Sequence, residues 1–169
     1  MTSARLPRFA LSCLRGCVTL AVVATACAPA PATDKTPAGG TKMSRAVIEP
    51  YLKIQASLAA DTADGIRANA GVMATAATAL GAPAMKIDTA ALQLSAAAEA
   101  ATPDLADVRD KFGMLSEAID AYMTGLKLAP PDGVKGAFCP MAHRPWMQEG
   151  ETLANPYYGK AMPTCGNFR

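Results

Sequence analysis

The sequence predicts an all-α domain: an antiparallel up-and-down four-helix bundle with a C-terminal irregular or short-β tail. Between residues 51 and 100, 18 of 50 residues are alanine, which is the best helix former, and strand-forming runs are absent there. Four segments repeat apolar residues at spacings of three and four, the period of one helix face. The loops between these segments are short, which favours antiparallel neighbours.

Residues 1–26 are predicted to be a lipoprotein signal peptide. Three arginines form a basic start, and a short apolar run leads to small residues before Cys27. The run is too short to span a bilayer. Small residues before a cysteine are typical of bacterial lipoproteins, in which Cys27 becomes the lipidated N-terminus. Ordinary cleavage nearby, which would release a free secreted protein, is the alternative. Residues 27–43 have almost no bulky apolar side chains and are predicted to be a flexible tether.

The apparent basicity of the chain belongs to the predicted signal. The sequence has 16 Lys and Arg against 14 Asp and Glu. Without the three arginines of the signal, 13 basic residues face 14 acidic ones. No Lys/Arg cluster remains that would indicate binding to nucleic acid or to an anionic membrane surface. We therefore expect no nucleic-acid partner, and membrane contact only through the lipid anchor.

Residues 44–129 are predicted to form the helical bundle. Asp61 is expected to cap the second helix, Thr102-Pro103-Asp104 to start the fourth, and Pro130-Pro131 to end it. The apolar faces are Val47, Tyr51, Ile54 and Leu58 in the first helix; Ile66, Ala70, Met73, Ala77 and Leu80 in the second; Ile87, Ala91, Leu94 and Ala98 in the third; and Leu105, Val108, Phe112, Leu115, Ile119, Tyr122 and Leu126 in the fourth.

The predicted tail, residues 130–169, holds the candidate chemistry and is expected to pack on or beside the bundle. If the chain from Ala137 to His143 is extended, alternate side chains project to one side. Thiolate and thioether sulfurs are soft ligands that favour Cu(I), with Ag(I) as a mimic. The candidate metal ligands are Cys139, Met141, Met162 and Cys165, with His143 as a weaker fifth and with Trp146, Tyr157 and Tyr158 packed around them.

The same cysteines also fit a structural disulfide. After export and lipidation of Cys27, Cys139 and Cys165 are the remaining thiols, and two cysteines in an oxidising compartment usually pair. Such a bridge would stabilise the domain by about 3.5 kcal/mol. A Cys139–Cys165 disulfide and a reduced metal site are therefore both open.

A linked set of tail residues carries a resemblance. The set is Phe138, Cys139-Pro140-Met141-Ala142, Trp146, Asn155-Pro156-Tyr157-Tyr158-Gly159 and Met162-Pro163-Thr164-Cys165-Gly166. It resembles the signature of a family of small exported helical domains. These are found alone, often as lipoproteins, or fused to adaptor subunits of copper and silver efflux pumps. The resemblance implies a periplasmic copper-handling role with the two cysteines and two methionines as ligands; His143 is not part of the pattern.

We therefore expect a periplasmic, membrane-anchored lipoprotein that binds Cu(I) or Ag(I). It would buffer copper or hand it to an efflux-pump adaptor or another envelope protein. The alternative is a non-metal structural or interaction module of the cell envelope, stapled by the disulfide. An enzyme is not expected, because the sequence has no Cys-x-x-Cys pair, no Ser/His/Asp set and no Gly-rich phosphate loop. Its single histidine leaves little acid–base machinery.

Overall fold

The computed structural model describes residues 42–169, which form four helices followed by a three-stranded antiparallel sheet. The predicted signal, Cys27 and most of the predicted tether lie outside the described residues. Within 42–169, no helix is both long and apolar enough to cross a membrane. The elements are α1 Arg45–Ala59, α2 Ile66–Ala79, α3 Met85–Ala97, α4 Leu105–Leu126, β1 Val134–Cys139, β2 Arg144–Glu149 and β3 Asn167–Phe168.

The four predicted helices are present, and most of their predicted apolar faces are buried. The faces of α1 and α3 are buried throughout, whereas Leu126 at the end of α4 is 48% exposed. The start of α4 is fixed by Asp104, whose Oδ1 accepts a hydrogen bond from the Ala106 N–H at 2.9 Å. The predicted cap at Asp61 is wrong, because Gly65 occupies the N-cap position of α2.

The predicted all-α class is wrong, and the chain has a mixed α/β fold. β1 pairs with β2 over six residues and with β3 over two, which gives the strand order β2-β1-β3. The strands contain one β-branched residue, Val134, and they include Gly136 and Pro145, so their intrinsic strand propensity is low. The strands form nevertheless because the sheet buries side chains: those of Trp146, Met147 and Gln148 in β2 are all buried.

The sheet completes the helical core rather than extending away from it. Strand β2 packs against both α1 and α4, where the rings of Tyr51 and Phe112 stack with their centroids 5.0 Å apart. The Tyr51 hydroxyl lies 2.7 Å from Ser116 Oγ and accepts a hydrogen bond from the Met147 N–H at 3.2 Å. One buried tyrosine thus joins two helices to the sheet.

The packed domain reaches two residues into the predicted tether. Met43 is 3% exposed, and its N–H donates to the Ala129 carbonyl oxygen at 2.8 Å. Lys42 Nζ forms an ion pair with Asp132 Oδ1 at 2.6 Å. The beginning of the domain is therefore attached to the segment that leads into β1.

Replacing Tyr51 by phenylalanine is expected to lower the free energy of unfolding at pH 7 by about 1–3 kcal/mol, because Ser116 and Met147 lose a buried partner. Burial raises the pKa of Tyr51 above its ordinary value of 10.0. The stability that this residue contributes is therefore present below about pH 10 and lost as the pH rises above it. Urea unfolding from pH 7 to 12 should show that, above about pH 10, the free energy of unfolding falls less steeply in Tyr51→Phe than in the wild type. The difference between the two slopes should be about 1.4 kcal/mol per pH unit.

The matched control is Tyr122→Phe, which removes a hydroxyl from the partly exposed side of α4. It should change the stability by less than about 0.5 kcal/mol at pH 7. If the free energy of unfolding fell equally steeply with alkaline pH in the wild type and in Tyr51→Phe, the role assigned to the buried Tyr51 hydroxyl would be contradicted.

Candidate metal site

The structure brings Cys139 and Cys165 side by side. Cys139, the last residue of β1, is fully buried, and Cys165 is half-buried just before β3. Both are free thiols, and one side chain, that of Asn155, contacts the Cys139 sulfur and the Cys165 backbone together. Burial raises the pKa of the Cys165 thiol, and the adjacent Cys139 raises it further. Cys165 therefore keeps its proton at neutral pH in the metal-free protein.

Asn155 links the two cysteines. Its side chain is fully buried, and its Nδ2 donates to Cys139 Sγ at 3.3 Å and to the Cys165 carbonyl oxygen at 2.5 Å. Its Oδ1 accepts from the Tyr157 N–H at 2.8 Å, and its own N–H donates to the Pro163 carbonyl oxygen at 2.8 Å. Because a buried amide needs such partners, Asn155 fixes how the two cysteine segments approach each other.

The Cys139 sulfur receives a second N–H donor from its own turn. Residues 140–143 connect β1 to β2, and the Ala142 N–H lies 3.4 Å from Cys139 Sγ. Together with the amide of Asn155, two donors therefore face this sulfur. Donors of this kind orient a metal ligand and neutralise part of its charge.

The two methionines and the histidine are placed differently from the cysteines. The predicted extension to residue 143 is wrong, because the strand ends at Cys139 and the turn follows, with His143 at φ 54°. His143 is exposed, and Met141 in the same turn is 61% exposed. Met162 is half-buried, and its carbonyl oxygen accepts from the Cys165 N–H at 3.3 Å. The structure therefore joins the two thiols and gives Met141 access to solvent.

Aromatic side chains pack beside Gly166, the residue that follows Cys165. Trp146 and Tyr157 are 1% and 8% exposed, and their rings meet edge-to-face with centroids 6.2 Å apart. Tyr158 is half-buried. A Cβ atom added to Gly166 would lie 2.5 Å from Trp146 Cη2, so the indole packs directly against the residue that follows Cys165.

Arg109, which the sequence analysis did not single out, and Asp61, which it assigned to a helix cap, hold the loop after Asn155. Arg109 of α4 donates from Nε to the Pro156 carbonyl oxygen at 3.0 Å, and from Nη2 to the Leu58 carbonyl oxygen at 3.0 Å and to Asp61 Oδ1 at 2.5 Å. Asp61 Oδ2 accepts from the Lys160 N–H at 3.1 Å. The hydrogen bond from Arg109 lowers the pKa of Asp61. We name these two side chains the Arg109–Asp61 clamp.

The spacing of Arg109 and Asp61 in the sequence does not predict that their side chains meet. Asp61 follows the first helix, where an acidic residue indicates a cap for the next one. Arg109 is one of several polar residues on α4. Their partner segment lies about 50 residues further along the chain than Arg109. The Asn155-Pro156 pair is typical of a chain reversal, but a reversal gives no information about the side chains that hold it.

Comparisons with protein-family models, with curated proteins and with solved structures found no match. The family resemblance of the tail therefore stays a prediction. Within residues 42–169, no group of three or more His, Cys, Asp or Glu side chains is arranged to hold a metal ion. The cysteine pair, with the thioethers of Met141 and Met162 nearby in sequence, stays the candidate set of soft donors.

Proposed function

We propose that this chain is an exported, lipid-anchored protein that binds Cu(I), or Ag(I) in its place, through Cys139 and Cys165. In this role it buffers copper in the periplasm or hands it to an efflux or assembly partner in the envelope. Export and the lipid on Cys27 are supported by the sequence of the first 27 residues alone. The metal site is supported by the arrangement of the tail.

The observation that carries the proposal is the bond pattern of Asn155. Its buried amide contacts Cys139 Sγ and the backbone of Cys165 at the same time, which brings the two cysteines close together. Two adjacent sulfur ligands suit a soft, low-coordinate ion such as Cu(I) far better than a hard cation with oxygen ligands. The N–H groups around Cys139 act as outer contacts that keep the ligand oriented.

The half-exposed face of the pair supports exchange of the metal with a partner. Cys139 is enclosed, whereas Cys165 is half-buried and Met141 is exposed. A thioether is a weaker, neutral soft ligand, so Met141 and Met162 fit the entry side of the site. Metal enters or leaves from this side, where a partner protein has access.

The test is an anaerobic Cu(I) titration of the reduced mature chain, in competition with a chromophoric Cu(I) chelator. We expect one Cu(I) per chain, and a loss of affinity of about tenfold or more in Cys139→Ser and in Cys165→Ser. Met141→Leu and Met162→Leu should cause smaller losses, because a thioether contributes less than a thiolate. Loading should release protons, since Cys165 must ionise to bind.

The matched control is Met85→Leu, which changes an equally exposed methionine, 63% exposed on α3. It should bind Cu(I) as the wild type does. Failure of the reduced wild type to bind Cu(I), or unchanged affinity in the Cys139→Ser/Cys165→Ser double variant, would refute the metal site.

The second candidate is a structural or interaction module stapled by a Cys139–Cys165 disulfide. It is supported by the same closeness of the two cysteines, because neighbouring cysteines in an oxidising compartment usually pair. Intact mass and thiol labelling of the protein as isolated distinguish the two. A bridged protein that takes up no Cu(I) even after reduction, and in which Met141→Leu leaves the biological function intact, favours the stapled module.

A further inference from the structure

We propose that Arg109 and Asp61 are positioning residues for the cysteine pair. The clamp holds the loop from Asn155 to Lys160 against the helices. The side chain of Asn155 in turn fixes Cys139 and Cys165 relative to that loop. This inference rests on the proposed function and names residues that set the affinity of the site without contacting the metal.

The first step is the convergence of three segments on one guanidinium. Arg109 binds the end of α1 through the Leu58 carbonyl oxygen, the α1–α2 connection through Asp61, and the site loop through the Pro156 carbonyl oxygen. The side chains of Arg109 and Asp61 are only 18% and 32% exposed. A planar fork with several donors can serve three acceptors at fixed angles, which a lysine cannot.

The second step is the close fit of the loop against the clamp. Gly159 lies at φ 52°, and a Cβ atom there would lie 1.9 Å from Asp61 Oδ1 and 2.6 Å from Arg109 Nη2. The Gly159 N–H donates to the Asn155 carbonyl oxygen at 3.0 Å. The loop therefore rests directly on the charged pair and has no freedom to shift toward it.

The third step is the path from the loop to the sulfurs. The carbonyl oxygen of Asn155 is held by Gly159, and its Nδ2 reaches both Cys139 Sγ and the Cys165 carbonyl oxygen. A displacement of the loop moves both contacts together. Because the affinity of a metal site depends on how well its ligands are oriented, a loosened clamp lowers the affinity even though all ligands remain.

The backbone at Asp61 directs its side chain toward the loop. Asp61 has φ 60°, in the left-handed region that an aspartate adopts more readily than most residues with a Cβ atom. It turns the carboxylate toward both Arg109 and the Lys160 N–H. The turn that ends α1 thus presents the carboxylate that contacts the site loop.

The experiment compares Arg109→Gln, Arg109→Lys and Asp61→Asn with the wild-type mature chain. Three quantities are measured: the unfolding midpoint, the anaerobic Cu(I) affinity by chelator competition, and the rate at which a thiol reagent labels Cys139. We expect Arg109→Gln and Asp61→Asn to lose about tenfold in Cu(I) affinity, as outer contacts of metal ligands do, and to label Cys139 about tenfold faster. Arg109→Lys, which keeps the charge, should give intermediate values.

The matched control is Arg67→Gln, which breaks another ion pair between arginine and a carboxylate. Arg67 Nη2 and Glu99 Oε1 are 3.0 Å apart and join α2 to the chain after α3. This variant should match the wild type in affinity and labelling rate.

A folded Asp61→Asn with wild-type affinity and labelling would overturn the positioning role. If Arg109→Gln does not fold, Asp61→Asn and Arg109→Lys decide, because both keep the volume of the side chain. If the wild type binds no Cu(I), the proposed function fails while the labelling rates still test the clamp. Faster labelling of Cys139 in the clamp variants would then support positioning of the thiol pair for bridging.

Discussion

Replacing Trp146 by alanine is expected to lower the free energy of unfolding by about 3–5 kcal/mol, the range for removing a buried large aromatic side chain. Trp146 is 1% exposed, meets Tyr157 edge-to-face, and donates from Nε1 to Gln148 Oε1 at 2.9 Å. It lies on β2, the strand that packs on α1 and α4. Its removal therefore leaves a cavity beside Tyr157 and Gln148, measurable as a lower urea midpoint in the reduced protein.

Phe168→Ala is the matched control, because it removes an aromatic side chain from the same sheet at a position 38% exposed. The Phe168 ring contacts Lys135 Nζ, 5.4 Å from its centroid, so its loss should cost at most about 1 kcal/mol. Helical and sheet signals should disappear together in Trp146→Ala. Loss of the sheet alone, with the helices as stable as before, would show that the tail is an independent appendage.

The helices were predictable from the sequence because their signals are local. The spacing of Val47, Tyr51, Ile54 and Leu58 marks one helix face whatever lies opposite, and Asp104 caps α4 with its own neighbours. The strands were not predictable in this way. Residues such as Gly136 and Pro145 disfavour a strand, and Trp146 reveals its burial only once α1 and α4 are in place.

The candidate site, too, was predictable from the sequence only where its signals are local. The soft character of the sulfurs was readable from residue type and spacing, and the structure brings Cys139 and Cys165 together at the side chain of Asn155. The extended run to His143 was not correct, because a strand-to-strand turn begins directly after Cys139. The contacts of Asn155 and of the Arg109–Asp61 clamp join segments that lie tens of residues apart. Only the folded chain brings such segments together, so no local pattern could report them.

The helices therefore hold the tail segments that carry the cysteines. Arg109 on α4 and Asp61 after α1 meet at the site loop, while Tyr51 connects the same two helices to β2. The cysteines are thus held from two directions, through the sheet at Cys139 and through the loop at Asn155. A mutation deep among the helices is expected to alter thiol reactivity when it disturbs either connection.

Gly159→Ala is expected to lower the free energy of unfolding by about 2–4 kcal/mol, within the range for substitutions that break a partly buried network. Two effects add. The positive φ of 52° costs an alanine about 1 kcal/mol, and the new Cβ would lie 1.9 Å from Asp61 Oδ1. Asp61 or the loop must move, and the hydrogen bonds at Lys160 and Pro156 lengthen. Urea unfolding measures the total loss of stability. A thiol reagent should also label Cys139 faster in Gly159→Ala than in the wild type.

Gly133→Ala separates the two effects, because Gly133 also has a positive φ, of 82°, but no atom lies within 4 Å of the added Cβ. It should cost only the conformational part, about 1 kcal/mol, with unchanged thiol labelling. The excess loss in Gly159→Ala then measures the contact with the clamp. Equal losses in the two variants would mean that the loop yields freely beside Asp61, and the cysteine pair would owe its position to the sheet and to Asn155 alone.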